Sequence, residues 1–292
     1  MQKKVLVLGA TGLIGHQIYN YLDANSEYDL YNITYRKKLN DSSILLNIRN
    51  EEVFLNKIRT IKPDIIINAI GILIEGANKN PENAIFINAY MPHKLKHLAD
   101  ELDAKLIHIS TDCVFSGEKK EPYIETDYKD GKDTYAKTKG LGEIINDRHL
   151  TLRTSVVGPE LKPDGEELFH WFMMQNGTIQ GYTQAIWSGV TTLELAKAVK
   201  WAIEYNITGL YHITNNDSIN KYELLSLFQK YTKKDISILP VTGKDIDKSF
   251  VDTRKEINYT IPDYETMIAS MVAFMQKNNY MYSHYKEFYE TI

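Results

Sequence analysis

Short apolar runs broken by amphipathic stretches set the rhythm of the first half of the chain. "KVLVLG" (4–9), "LYNITYR" (30–36), "SILLNI" (43–48), "DIIINAI" (64–70) and "KLIHIST" (105–111) are short and rich in β-branched residues, which marks them as strands. Between them, apolar positions recur at helical spacing near 13–24, 51–60, 82–102 and 134–147. Strands that are apolar at successive positions are buried on both faces, as in a parallel sheet covered by helices. The alternation therefore predicts an α/β fold, a doubly wound parallel sheet built from right-handed βαβ units. "HLTLRTSVVG" (149–158) and "LYHIT" (210–214) are later strands of the same kind. Past residue 157 the rhythm loosens: Gly158, Pro159, Pro163, Gly165, Gly177 and Gly181 mark loops, and helical patterns follow near 191–205, 219–231 and 263–279. The expected division is a nucleotide-binding domain over 1–157, with later strands joining its sheet, and a smaller, dependent substrate-binding lobe over 158–292. The tail "NNYMYSHYKEFYETI" reads as a terminal helix packed on the body or on a second copy, which leaves a homodimer open.

Composition narrows the class. The chain has 292 residues, 43% of them apolar and 25% charged, the proportions of a soluble globular protein with a sizeable core. A net charge of −4 gives no electrostatic reason to expect nucleic acid. One cysteine, Cys113, excludes an internal disulfide framework and fits a reducing cytoplasm. The N-terminal apolar run is interrupted by regularly spaced glycines, unlike a signal peptide, and no stretch approaches a membrane span.

Those glycines are the first chemical signal. Gly9, Gly12 and Gly15 stand three apart between the first strand and the first helix. There glycine lets the backbone approach a pyrophosphate resting on the helix N-terminus. The expected cofactor contacts are Gly9, Thr11, Gly12, Leu13, Ile14 and Gly15, with Asn47, Ala69, Ile70 and Gly71 at later strand ends. An acidic residue closing the second strand would bind the ribose of NAD; here the strand ends "ITYRKK". Arg36 and Lys37 suit a 2′-phosphate instead, so NADPH is favoured and NADH left open.

The second signal is a tyrosine and lysine four apart, the spacing of a reductase proton-transfer pair. The chain holds four: Tyr90/Lys94, Tyr128/Lys132, Tyr135/Lys139 and Tyr282/Lys286, where chance gives about two. Pro92 interrupts the first, Asp130-Gly131 makes the second a loop, and the fourth lies beyond every strand. Only Tyr135/Lys139 sits in a clean helical run, with both side chains on one face, after a strand whose carboxyl end opens over the crevice. A nearby ammonium is expected to lower the phenol pKa, and Thr111 to polarise a carbonyl.

The segments "GATGLIG", "PDIIINAIG", "FINA", "ISTDCVFSG", "YAKTKGLGE" and "LRTSVVG" together resemble the extended short-chain dehydrogenases/reductases, most closely the dTDP-4-dehydrorhamnose reductase branch acting on 4-keto sugar nucleotides. The resemblance implies that Tyr135 donates a proton to the keto oxygen, that Lys139 binds the nicotinamide ribose and depresses the tyrosine pKa, and that Thr111 polarises the carbonyl. It implies a nucleotide-sugar substrate near Thr111, Asp112, Cys113, Val114 and Trp187, with Lys248 and Arg254 as guesses for its diphosphate, and a role in surface polysaccharide synthesis. Two departures stand out. The branch usually carries tyrosine at Cys113, and its loop differs from "LIEGANKN" (73–80). Cys113 is similarly placed to the epimerising cysteine of GDP-fucose synthases, so an epimerase-reductase with His170 as partner acid is an alternative. A cofactor-binding regulatory subunit similar to the methionine adenosyltransferase beta subunit is another. His93 and His97 share a helix face but lack a third ligand, so no metal is expected.

Overall fold

The computed structural model describes residues 2–254, 259–285 and 288. The chain folds as the alternation predicts. Strands β1 (Lys4–Leu8), β2 (Asp29–Thr34), β3 (Ile44–Leu45), β4 (Ile65–Asn68), β5 (Lys105–Thr111) and β6 (Leu150–Thr154) are followed by β7 (Val156–Val157), β8 (Gly177–Tyr182), β9 (Ala185–Trp187), β10 (Val190–Thr191), β11 (Gly209–Ile213), β12 (Ile219–Asn220), β13 (Ile236–Val241) and β14 (Ile246–Asp247). Seven of them form one sheet in the order β11-β6-β5-β4-β1-β2-β3. Every pairing in it is parallel, and the order reverses beside β1, the switch point of a doubly wound Rossmann-type sheet. The remaining strands make three small sheets: β7 with β10, β8 with β13, and β9 between β12 and β14.

The helices are α1 (Leu13–Asn25), α2 (Glu51–Ile61), α3 (Ile74–Lys79), α4 (Pro81–Ala84), α5 (Met91–Glu101), α6 (Thr134–Leu141), α7 (Leu168–Met174), α8 (Thr192–Glu204), α9 (Lys221–Thr232) and α10 (Tyr264–Lys277). Alternate residues of the strands feed opposite layers. Val5, Val7, Ile65, Ile67, Ile107 and Ile109 face the layer that holds α1, α8 and α10. Leu6, Leu8, Ile66 and Leu106 face α2 and α5. Each such side chain, once fully buried, contributes about 1.5–3 kcal/mol. Two expected elements differ. "SILLNI" pairs only through Ile44 and Leu45, and the helix after Thr134 ends at Leu141 rather than near 147. A β-carbon on Gly142, the C-cap of this helix, would lie 1.9 Å from the Asn88 carbonyl oxygen, so only glycine fits there.

The segment before α5 is also unusual. Ile85–Tyr90 is a π-helical turn between α4 and α5. Pro92 lies at the start of α5, where its missing N–H is tolerated. No helix of the described residues is long and apolar enough to cross a membrane.

Candidate functional site

The carboxyl ends of β1, β2, β3 and β4 open on a cleft of about 680 Å³. Gly9, Thr11, Gly12, Arg36, Lys37, Asn47, Ala69, Ile70 and Gly71 all line it. Gly9 has φ +80°, and a β-carbon there would come within 3.0 Å of Ile70. A β-carbon on Gly15 would lie 2.2 Å from the Gly9 carbonyl oxygen, so helix and turn approach as only glycine allows. Gly12 caps α1 without a side chain, leaving the first-turn amides to an anion. Leu13 and Ile14 begin that turn, and the Ile14 side chain packs against the core. Arg36 and Lys37 are exposed on the cleft. Three further lining residues escaped the sequence reading. Thr34 carries a hydroxyl buried without a protein partner. Arg49 is anchored by Nε to Asn83 Oδ1 at 2.9 Å. Lys162 arrives from the loop after β7. A tight phosphate turn, an orphaned hydroxyl and a cationic rim together fit a phosphorylated dinucleotide.

Beyond this cleft lies the Tyr135/Lys139 pair. Asp133 caps α6 by accepting from Ala136 N at 2.8 Å, a cap visible in "DTYA". Tyr135 is buried, and burial raises its pKa, with the Cys113 side chain adding and a hydrogen bond with Thr111 opposing. The net shift is opposite to the lowering that the neighbouring ammonium was expected to produce. Lys139, also buried, donates to the Ile109 carbonyl at 2.7 Å, and burial pulls its pKa down to about 8 against the opposing pull of Glu143. Of the other pairs, Tyr90 and Tyr128 are exposed, Lys94 pairs with Glu51 at 3.3 Å and Lys132 with Glu118 at 2.5 Å. Lys286 lies outside the described residues.

Thr111 ends β5 and donates to Asp112 Oδ1 at 3.1 Å, while accepting from the Cys113 amide at 3.1 Å. Burial raises the Asp112 pKa, with Lys248 and hydrogen bonds from Thr111 and Ser155 opposing. The Cys113 thiol lies 3.7 Å from the Lys248 ammonium, yet burial pushes its pKa up to about 12, so it is a thiol at neutral pH. Trp187 is buried, donates to the Ser155 hydroxyl at 2.8 Å, and lies 5.1 Å beneath the Lys221 ammonium. Lys221 opens α9 and its charge is felt at Asp112. No local signal at Lys221 marks it, since only the folded lobe brings it here.

Three expectations do not survive the geometry. Val114 is fully buried in an apolar cluster with Phe115, Tyr123 and Phe250, because the turn after β5 points it inward. Arg254 stacks 3.7 Å over the Tyr211 ring and donates to the Leu210 carbonyl. That carbonyl lies three residues back from Ile213, which stands two strands from Thr111 and level with it. His170 is engaged by the Tyr285 hydroxyl at 2.7 Å rather than by the thiol. Asn88 lies within "FINA". It is fully buried on the π-helical turn, donates to the Ile72 carbonyl at 2.9 Å and reaches the Thr138 hydroxyl at 3.3 Å. It thereby ties the loop after β4 to α6. Among the described residues no group of His, Cys, Asp or Glu is placed to hold a metal ion.

Known proteins resemble this chain in sequence and in fold. The sequence model of one family, described as "RmlD substrate binding domain", matches residues 3–250. The spore coat polysaccharide biosynthesis protein SpsK of Bacillus subtilis is 27% identical over 83% of this chain and 84% of its own length. The dTDP-4-dehydrorhamnose reductase of Escherichia coli is 32% identical, but over 52% of this chain and 51% of its own. The methionine adenosyltransferase 2 subunit beta of Xenopus laevis is 25% identical over 84% and 77%. Among solved structures, a dTDP-4-dehydrorhamnose reductase of Bacillus anthracis in complex with NADP superposes with a TM-score of 0.81 at 24% identity, covering 94% of this chain and 100% of that one.

Proposed function

This chain belongs to the RmlD substrate-binding family, and on that premise we propose that it is an NADPH-dependent reductase of the C4 keto group of a nucleotide-activated 6-deoxysugar, acting in surface polysaccharide synthesis. The observation that carries the reading is the buried Tyr135, held beside Thr111 at the carboxyl end of β5 with Lys139 one helical turn away. In the direction of reduction the acid must begin protonated, and burial keeps the phenol so. Tyr135 gives its proton to the keto oxygen while the Thr111 hydroxyl, turning from Asp112, donates to the same oxygen as charge develops there. Lys139, protonated below a pH of about 8, stabilises the resulting phenolate. The glycine turn, with Arg36 and Lys37 for a 2′-phosphate, would hold a reduced nicotinamide dinucleotide, which would supply the hydride; NADH remains a second donor. Lys248 and Lys221 hold positive charge beside Asp112, where the diphosphate of a sugar nucleotide finds counter-charge, and Trp187 offers a ring face nearby. The polysaccharide setting is supported by the SpsK likeness.

The long alignment with the methionine adenosyltransferase beta subunit favours a binding role as the second reading. A pure binder has no use for a buried Tyr–Thr–Lys constellation. The test is oxidation of NADPH by the purified protein, followed by absorbance, with a panel of enzymatically generated 4-keto-6-deoxy sugar nucleotides. Turnover with one of them, reduced about 10²–10⁴-fold by Tyr135→Phe, is expected. Tight NADPH binding with no turnover across the panel would instead leave the binding role.

A further inference from the structure

Two tyrosines of the aromatic tail, Tyr282 and Tyr285, touch neighbours of two separate stretches of the dinucleotide cleft. Tyr282 is fully buried, and its hydroxyl lies 2.9 Å from Nε2 of His16. The other ring nitrogen, Nδ1, lies 2.9 Å from the Gly12 carbonyl oxygen. A carbonyl can only accept, so His16 carries its proton on Nδ1 and Nε2 is left as an acceptor. Burial holds the ring neutral, with its pKa pushed down to about 4. The Tyr282 O–H is therefore the donor that fixes the ring, and the ring fixes the Gly12 peptide at the start of α1. Beside it, Asn20 donates to the Met281 sulfur at 3.3 Å, a second tie between tail and α1.

Tyr285 acts on the loop after β7. Its oxygen accepts from the Glu160 amide at 3.2 Å, and the same hydroxyl meets His170 Nδ1 at 2.7 Å. The Glu160 carboxylate in turn accepts from the amides of Glu166 and Glu167 at 2.8 and 2.9 Å. That closes the loop whose Lys162 lines the cleft.

We propose that Tyr282 and Tyr285 are positioning residues for the dinucleotide, one bracing the glycine turn through His16 and the other bracing the Lys162 loop through Glu160. The inference rests on the cofactor reading above. Because the tail touches both braces, docking of the tail and binding of the dinucleotide are linked, and the linkage is reciprocal.

The test is equilibrium binding of NADP⁺ and NADPH to the full chain carrying Tyr282→Phe or Tyr285→Phe. Each change keeps the buried ring and removes only the hydroxyl. Tyr280→Phe, at a ring 75% exposed in the same tail, is the control. Each of the two variants is expected to weaken binding on the order of fivefold or more, with the control unchanged. Saturating NADP⁺ is expected to slow hydrogen exchange at residues 279–285 of the wild type. Variants that melt earlier but bind within about twofold of wild type would overturn the proposal, since a merely structural role lowers Tm without touching affinity in a protein still folded. Exchange in the tail that ignores the cofactor would overturn it too. A wild type that binds neither NADP⁺ nor NAD⁺ would instead bring down the cofactor reading itself, and this inference with it.

Discussion

Burial moves the two members of the Tyr135/Lys139 pair in opposite directions, the phenol up and the ammonium down to about 8. Both shifts favour the neutral form, because desolvation penalises charge whatever its sign. For Lys139 the ammonium is present below about pH 8 and lost above it, well before the ordinary 10.5. If that charge supports the phenolate, kcat/KM should fall as pH rises through about 8, approaching tenfold per unit. A pH–rate profile at limiting substrate checks this, and a plateau persisting to pH 10 would refute the role. Stability runs the other way. Between about 8 and 10.5 the unfolded chain binds a proton that the folded one has released, so this lysine's penalty is relieved as pH rises. The spacing of the pair was legible in the sequence because helix geometry is local. The direction of the phenol's shift was not, because it depends on the burial of Tyr135 among Ala77, Ala84 and Cys113, residues far from it in sequence.

Glycines show how closely the elements around the site are fitted. At Gly15 a β-carbon would meet the Gly9 carbonyl oxygen at 2.2 Å and the Ala10 α-carbon at 3.0 Å. Both are backbone atoms that no rotamer can move. Gly15→Ala should therefore destabilise the protein by about 1–3 kcal/mol or more and weaken NADPH binding with it, since the displaced backbone is the phosphate turn. Gly140, inside α6, meets first the Lys129 side chain at 3.4 Å and then Val114 at 3.7 Å, ordinary contacts with room to adjust. Gly140→Ala should stabilise by about 0.5–1 kcal/mol through helix propensity alone. Urea unfolding of the two variants decides it, and equal effects would mean that propensity rather than fit governs both sites. The first glycine was readable from its place between strand and helix. The need for glycine at 142 was not, because its close approach to Asn88 joins elements about fifty residues apart.

At the scale of the whole molecule a cluster around one buried ion pair joins strands that the sequence keeps apart. Glu143 receives two bonds from Arg153, Nε at 2.9 Å and Nη2 at 2.8 Å, with Ser110 at 2.7 Å and Lys129 at 3.2 Å. Arg153 also donates to Nε2 of His212 at 2.9 Å, so β5, β6, β11 and the chain leaving α6 meet at one charge cluster. The charged residue within the apolar strand "LTLRT" was the only sequence signal, for a buried arginine demands a partner. With 38 acidic residues in the chain, nothing local said which. Glu143→Gln removes the charge but keeps the shape, stranding a buried guanidinium, and should cost about 3–5 kcal/mol at pH 7. Its partners hold the Glu143 carboxyl below the ordinary 4.5 despite its burial. A depressed carboxylate pKa contributes stability that is present above 4.5 and lost as pH falls through the folded value. The gap in unfolding free energy between wild type and Glu143→Gln should therefore be full at neutral pH and close steadily below 4.5. A gap at pH 7 under about 0.5 kcal/mol, the scale of a neutral surface change, would mean that the cluster's desolvation cancels its attraction. One persisting undiminished to pH 3 would refute the depressed carboxyl, and with it the ionised Glu143 as the source of the loss.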